Sequence, residues 1–163
     1  MSYSAHIDTF ASDNLPPRDQ WPDLIFTIPE VQYPERLNCM VELLDEHVRQ
    51  GRGDRPAVYG AEGVLTYAQL QAQVDRVAHV LTHDMGLVPG NRVLLRGANN
   101  AKMAICWCAV AKAGLIVVAT MPLLREKELV DIIEKAQISA AICDRRLDVE
   151  LLAAQRRCPV LQQ

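Results

Sequence analysis

The sequence predicts an α/β fold in which a doubly wound, mostly parallel sheet carries helices on both faces and follows an extended N-terminal arm. Strand-like and helical segments alternate regularly from residue 92 onwards. The segments 92–96 and 115–120 are mostly apolar, as expected for parallel strands covered on both sides. Between them lie an asparagine-rich turn, an apolar helix and the helix stop Gly114, which is the order of a βαβ unit.

Length and composition indicate an ordinary globular domain. The chain has 163 residues, of which 50% are hydrophobic and 23% charged, and its formal net charge is −3. It shows no basic excess for nucleic acid, and the arginine pairs 145–146 and 156–157 are expected at solvated helix ends. Five cysteines without a Cys-x-x-Cys pattern indicate reduced thiols in a cytoplasmic protein, and neither a disulfide framework nor a metal site.

We predict a proline-rich arm over residues 1–37 and an α/β subdomain over residues 38–163. The prolines at 16, 17, 22, 29 and 34 exclude a long helix from the arm. The arm also carries large apolar residues, namely Trp21, Leu24, Ile25, Phe26 and Ile28. We therefore expect it to be disordered, to fold back on the domain or to pack against a second copy in a homo-oligomer.

The first elements of the subdomain are predicted from their terminal signals. Asn38 can cap a helix over residues 38–50, and Gly51 is expected to end it. Residues 55–59 and 64–67 read as a hairpin around a glycine-bearing loop. Thr66 and Gln69 form a capping box for the next helix, which Gly86 closes.

The later elements follow in regular order. A strand over 92–96 leads to an apolar helix over 100–113 and a strand over 115–120. A helix over 126–136, a strand over 140–143 and a helix over 148–155 come next, and Val160 is expected to open one more strand. A membrane span over 103–124 is disfavoured, because it would place Lys112 at mid-bilayer and be followed by Gly114 and Pro122.

Three short motifs have simpler interpretations than their functional ones. His79 and His83 have the spacing of a metal pair, but Val80 replaces the glutamate of His-Glu-x-x-His, so an exposed helix face is expected. Arg52-Gly53-Asp54 is read as a turn, not as an adhesion ligand. Residues 97–100 lack a nucleotide-phosphate pattern, so Asn99 and Asn100 are predicted to cap a helix, with ligand contact as the alternative.

Several segments resemble adenylate-forming enzymes, the family of acyl-CoA and aryl-CoA synthetases. Residues 65–70, Leu-Thr-Tyr-Ala-Gln-Leu, resemble the first core motif Leu-Thr-Tyr-x-Glu-Leu, with Gln69 in place of Glu. Residues 112–122, from Lys-Ala-Gly to Pro122, resemble the second. Residues 89–93 resemble the Pro-Gly-Asp-Arg-Val start of the first sheet strand, with Asn91 in place of Asp. The resemblance covers residues 38–145.

The amino-acid sequences of four further segments resemble the benzoate-CoA and 2-aminobenzoate-CoA ligase branch of this family. These are residues 8–10, 14–17, 33–39 and 120–125. The resemblance implies a two-step reaction in which an aromatic carboxylate and ATP give an acyl adenylate and pyrophosphate, and CoA then displaces AMP. It implies ATP, Mg²⁺ and CoA as substrates or cofactors of the full-length enzyme.

No catalytic, ATP-binding or metal-binding residue carries over to this chain. The family's phosphate loop, ribose-binding acid and adenylation lysine come later in its sequence. Arg125, just after the second core motif, is the one candidate for a phosphate or CoA contact, with a surface arginine as the alternative.

Three hypotheses follow from the sequence. The first is the N-terminal part of an AMP-forming aryl-CoA ligase, inactive on its own. The second is a stand-alone α/β binding or interaction module, and the third is a nucleotide-binding domain of another class.

Overall fold

A computed structural model of the chain describes residues 5–34 and 36–163. Glu35, within the 33–39 motif, and the first four residues of the predicted arm lie outside that range. The structure contains an antiparallel hairpin of β1 (Pro56–Gly60) and β2 (Gly63–Thr66). It also contains a parallel sheet of β3 (Arg92–Arg96), β4 (Ile116–Thr120) and β5 (Ile138–Cys143) in the order β4-β3-β5. The predicted adjacency of these three strands is confirmed.

Helices connect and cover the strands. The arm contains a single-turn helix α1 (Phe10–Asp13), and the domain contains α2 (Tyr67–His79), α3 (Ala101–Lys112), α4 (Glu126–Ala136) and α5 (Asp148–Gln155). A further helix over residues 39–52 has π-type hydrogen bonding at Val41–Asp45 and Val48–Arg52. A similar turn at Val80–Asp84 extends α2.

The pleat of β3 divides the core between the two faces of the sheet. Val93 and Leu95 belong to a buried cluster with Leu70 and Val74 of α2 and Ile105, Ala109 and Val110 of α3. Leu94 belongs to a second cluster with Leu129, Val130 and Ile133 of α4 and Leu151 and Ala154 of α5. Successive strand residues point to opposite faces, so this partition places helices on both sides of the sheet, as predicted.

Local signals in the sequence set two helix starts correctly. The Thr66 hydroxyl accepts from the Gln69 amide at 3.3 Å, and the Gln69 side chain accepts from the Thr66 amide at 3.0 Å. Asn100, and not Asn99, caps α3, because its side-chain oxygen accepts from the Met103 amide at 3.0 Å. These bonds satisfy amides that a helix start leaves without partners.

The C-terminal strand prediction was wrong. Val160 lies in a turn, where the Leu161 amide donates to the Cys158 carbonyl at 3.0 Å. Pro159 supplies no amide donor and favours this turn. After this turn, Gln162 and Gln163 bond to β5, through Gln162 N–H to Ser139 O at 3.1 Å and Ala141 N–H to Gln163 O at 2.9 Å.

Two boundaries also differ from prediction. β5 begins at Ile138 instead of residue 140, because Gln137 adopts a left-handed conformation (φ 51°) that ends α4 and lets Ile138 pair with Arg92. The first helix of the subdomain continues through Arg52, although Gly51 (φ 75°) has the left-handed conformation of a helix stop. None of the helices within residues 5–34 and 36–163 is long and apolar enough to cross a membrane.

Candidate functional site

The central strand β3 carries a buried arginine at each end. Arg92 is 6% exposed and Arg96 is 2% exposed. Because side chains two apart along a strand share a face, both arginines lie on the face of Leu94, toward α4 and α5. The sequence pattern predicts only a strand here and does not indicate a role for either arginine. The available signal was an arginine at each end of an apolar run with period-two spacing.

Arg92 organises the edge of the sheet where the strands begin. Its guanidinium donates to the carbonyls of Gly90 (2.8 Å), Ala136 (2.9 Å) and Gln137 (2.6 Å). A cation at the last carbonyls of α4 is favoured by the helix dipole. The same guanidinium forms an ion pair with Asp8 of the arm at 2.5 Å.

Residues 7–10, within the predicted arm, therefore dock on this edge. The amides of Ile7 and Asp8 donate to the Pro89 carbonyl at 2.9 and 3.0 Å. The Arg92 guanidinium carbon lies 4.9 Å from the centre of the Phe10 ring, within cation–π range. In contrast, Leu24, Ile25, Phe26 and Ile28 are 51 to 75% exposed, so the later part of the arm presents its apolar side chains to solvent.

Docking of the arm is expected to weaken in acid. Burial alone would raise the pKa of Asp8, but hydrogen bonds from Arg92, the Phe10 amide and Asn91 hold it below its usual value. The stabilisation is therefore complete above the ordinary aspartate pKa of about 4 and is lost as the pH falls through the lower pKa of the docked carboxyl. The protection factors of the Ile7 and Asp8 amides, which are their NMR exchange rates relative to the unstructured rates at the same pH, measure this loss. The variant Asp8→Asn should remove the pH dependence, and an unchanged profile would contradict the assignment.

The opposite edge, where the strands end, is the candidate functional site. We call it the carboxyl edge and define it as residues 97–100 after β3, 121–124 after β4 and 144–147 after β5. In open α/β sheets, ligands bind outside the carboxyl ends of the strands. Arg96 lies at the centre of this edge and lines two cavities, of about 340 and 360 Å³.

The first cavity is lined by side chains with little nucleophilic or acid–base capacity. Burial raises the pKa of the Cys106 and Cys143 thiols, so both are protonated at neutral pH. Hydrogen bonds from the Arg146 side chain and amide lower the pKa of Asp144 to about 2, which keeps it ionised and paired. Within the described part of the chain, no three His, Cys, Asp or Glu side chains are placed to hold a metal ion.

Arg125, the one site candidate from the sequence, lies beside the second cavity at the start of α4. Its side chain is 77% exposed and donates to Glu150 of α5 at 2.9 Å. Glu150 also accepts from the Glu126 amide at 2.9 Å. The bond from that amide, together with Arg125, lowers the pKa of Glu150, so an internal carboxylate occupies the N-terminus of α4.

Lys112, the lysine of the second core motif, forms ion pairs that connect helices. Lys112 is at the end of α3 and forms ion pairs with Asp45 at 2.7 Å and with Asp75 of α2. Burial alone would lower the pKa of Lys112, but the two carboxylates raise it above its usual value. The Lys112 carbonyl accepts from the Asn38 side chain at 2.9 Å. These contacts join three helices, a role that local spacing could not reveal.

The other motifs line neither cavity of the carboxyl edge. The rings of His79 and His83 stack at 4.0 Å on one side of the extended α2. Arg52 to Arg55 forms a turn, in which the Arg55 amide donates to the Arg52 carbonyl at 3.1 Å. The turn interpretation of Arg52-Gly53-Asp54 is thus confirmed. All five cysteines are free thiols.

Solved structures share this fold. An anthranilate CoA ligase, AuaEII, in complex with anthranoyl-AMP superposes with a TM-score of 0.71 at 19% identity, over 76% of this chain and 24% of that one. A benzoate CoA ligase from Burkholderia xenovorans LB400 superposes with a TM-score of 0.65 at 20% identity, over 72% of this chain and 24% of that one. At these identities the likeness shows the fold.

This chain matches a small part of each of its longer sequence relatives. The benzoate–CoA ligase of Thauera aromatica is 26% identical over 74% of this chain and 23% of its own length. The salicyl-AMP ligase / salicyl-S-ArCP synthetase of Mycobacterium tuberculosis is 42% identical over 47% of this chain and 13% of its own length. The chain thus spans less than a quarter of either relative. The profile of the family described as AMP-binding enzyme matches residues 44–163, so the chain belongs to the AMP-binding family of adenylate-forming acid ligases.

Proposed function

We propose that this chain is the N-terminal part of an ATP-dependent, AMP-forming aryl-CoA ligase acting in the cytoplasm. The reaction joins benzoate or 2-aminobenzoate to CoA and releases AMP and pyrophosphate. The observation that carries the proposal is the family match over residues 44–163. The aromatic substrate is supported by the motif wording at residues 120–125 and by relatives whose names contain benzoate and salicyl. The proposed organisation is an arm over residues 1–37 and an α/β subdomain from residue 38.

Under this proposal the chain supplies part of the scaffold for the reaction. The two cavities at the carboxyl edge are lined by Asn100 and by the cations Lys102 and Arg125, which suit positioning and charge stabilisation of an anionic substrate. ATP, Mg²⁺ and CoA are the substrates or cofactors of the full-length enzyme.

The 163-residue chain alone is expected to form no acyl adenylate. Incubation with ATP, Mg²⁺ and either benzoate or 2-aminobenzoate should release pyrophosphate at the rate of a buffer control. The matched positive sample is the product of the whole open reading frame, assayed with the same acids and with acetate and octanoate. Turnover by the 163-residue chain, or a preference of the whole product for the aliphatic acids, would contradict the proposal.

The second candidate is a binding or interaction module without catalysis. It is favoured by the side chains that line the first cavity, where the Cys106 and Cys143 thiols are protonated and the Asp144 carboxylate is paired with Arg146. A reading frame that ends at codon 163, with no adenylate formed by its product, would support this candidate.

Within the ligase proposal, Arg125 remains the proposed phosphate or CoA contact. In the whole enzyme, Arg125→Gln should raise the KM for CoA or ATP about tenfold, the effect of losing one charged hydrogen bond. Arg156→Gln is the matched control, because Arg156 is exposed and lines neither cavity of the carboxyl edge. Unchanged KM values in Arg125→Gln would contradict the proposed contact and mean that Arg125 serves only in its ion pair with Glu150.

A further inference from the structure

The guanidinium of Arg96 is buried among backbone carbonyls. It donates to Leu147 (3.2 Å), Met121 (3.1 Å), Pro122 (2.9 Å) and Leu124 (2.8 Å). Four of the five N–H donors of an arginine are thus used on main-chain oxygens. Among the described residues, no carboxylate forms an ion pair with it. A buried cation is retained only where such bonds compensate its lost hydration.

Three of these four carbonyls belong to one segment, residues 121–124, which leaves the sheet after β4. That segment has no regular secondary structure, and its own internal bond is Leu124 N–H to Met121 O at 3.3 Å. It nevertheless exposes two large apolar side chains, Met121 at 62% and Leu123 at 81%. The bonds from Arg96 therefore hold an otherwise weakly bonded loop in one conformation.

We propose that Arg96 is a positioning residue for the carboxyl edge. Its planar guanidinium connects the loop after β4 to the loop after β5, and it forms part of the wall of both cavities. It thereby sets the direction in which Met121 and Leu123 project and the position of Arg125, which directly precedes α4. The link from this position to substrate binding rests on the proposed ligase function, whereas the positioning itself does not.

Hydrogen exchange on the 163-residue chain tests the positioning. In Arg96→Lys, the amides of Leu124, Arg125 and Leu147 should exchange at least tenfold faster, because one ammonium cannot reach four carbonyls on two loops. Arg92→Lys is the matched control, since that arginine is similarly buried and bonded at the opposite edge. It should leave these three amides unchanged. No change in Arg96→Lys, or an equal change in Arg92→Lys, would overturn the proposal.

Chemical rescue distinguishes positioning from a general loss of stability. In Arg96→Ala, millimolar guanidinium should restore protection of the same amides, whereas methylammonium should not. Guanidinium acting only as a denaturant would raise exchange and count against the proposal. If Arg96→Ala does not fold by circular dichroism, Arg96→Lys provides the test.

The link to substrate binding is tested in the whole enzyme. Arg96→Lys should raise the KM for the aromatic acid at least fivefold and leave kcat within twofold. An unchanged KM would overturn this link. If the unmutated whole protein has no ligase activity, the ligase proposal is overturned, but the hydrogen-exchange result for Arg96 still stands.

Discussion

Replacing Arg92 by methionine is expected to lower the free energy of unfolding by about 3 kcal/mol. Methionine keeps much of the apolar stem but removes the three bonds to the carbonyls of Gly90, Ala136 and Gln137. It also leaves the Asp8 carboxylate, 23% exposed, without its cation. Partial hydration of Asp8 limits its share of the loss, so most of it comes from the buried carbonyls.

Urea unfolding followed by circular dichroism measures this change. Arg156→Met is the control, because Arg156 is exposed, and its midpoint should stay within the range of a surface substitution, about 0.5 kcal/mol. Adding Asp8→Asn to Arg92→Met should cost less than Asp8→Asn alone, since the two side chains interact. Equal midpoints for Arg92→Met and Arg156→Met would show that the buried arginine contributes nothing to stability.

The order of elements could be predicted because its signals are local. The side chains of Gln69 and Asn100 accept hydrogen bonds from amides within one helical turn. The apolar run of β3 is explained by the helices that cover both faces of the sheet. Val160 shows the limit of this reasoning. Its β-branched side chain favours a strand, but the turn after Pro159 and the packing of Cys158 and Leu161 override that preference.

The candidate site could not be predicted in the same way. Arg96 bonds to carbonyls 25 to 51 positions away, and carbonyls have no sequence signature. Lys112 is paired with Asp45, 67 positions away, which only the packing of three helices brings near. The Asp8–Arg92 pair likewise joins the arm to the sheet. Such contacts depend on how the elements pack in three dimensions, and local sequence patterns do not encode which distant residues meet.

Gly90 is where the arm and the domain approach most closely. It has a positive φ of 94°, and a Cβ added there would lie 2.1 Å from the Asp8 carbonyl oxygen and 3.0 Å from the His6 Cβ. A real Cβ does not approach backbone at 2.1 Å, so either Gly90 or the docked segment must move. The two hydrogen bonds from the amides of Ile7 and Asp8 to the Pro89 carbonyl hold the docked segment beside Gly90.

We therefore expect Gly90→Ala to displace the N-terminal segment from the domain. The amides of Ile7 and Asp8 should lose their protection, and the free energy of unfolding should fall by about 3 kcal/mol from backbone strain and lost hydrogen bonds. Gly86→Ala is the matched control, because Gly86 has a φ of 64° but no atom within 4 Å of the added Cβ. It should cost only the strain of a left-handed alanine, about 1 kcal/mol, and leave both amides protected. Hydrogen exchange and urea unfolding of the two variants separate the effects. Protected amides in Gly90→Ala would mean that the segment tolerates the new methyl group and that the close approach does not control docking.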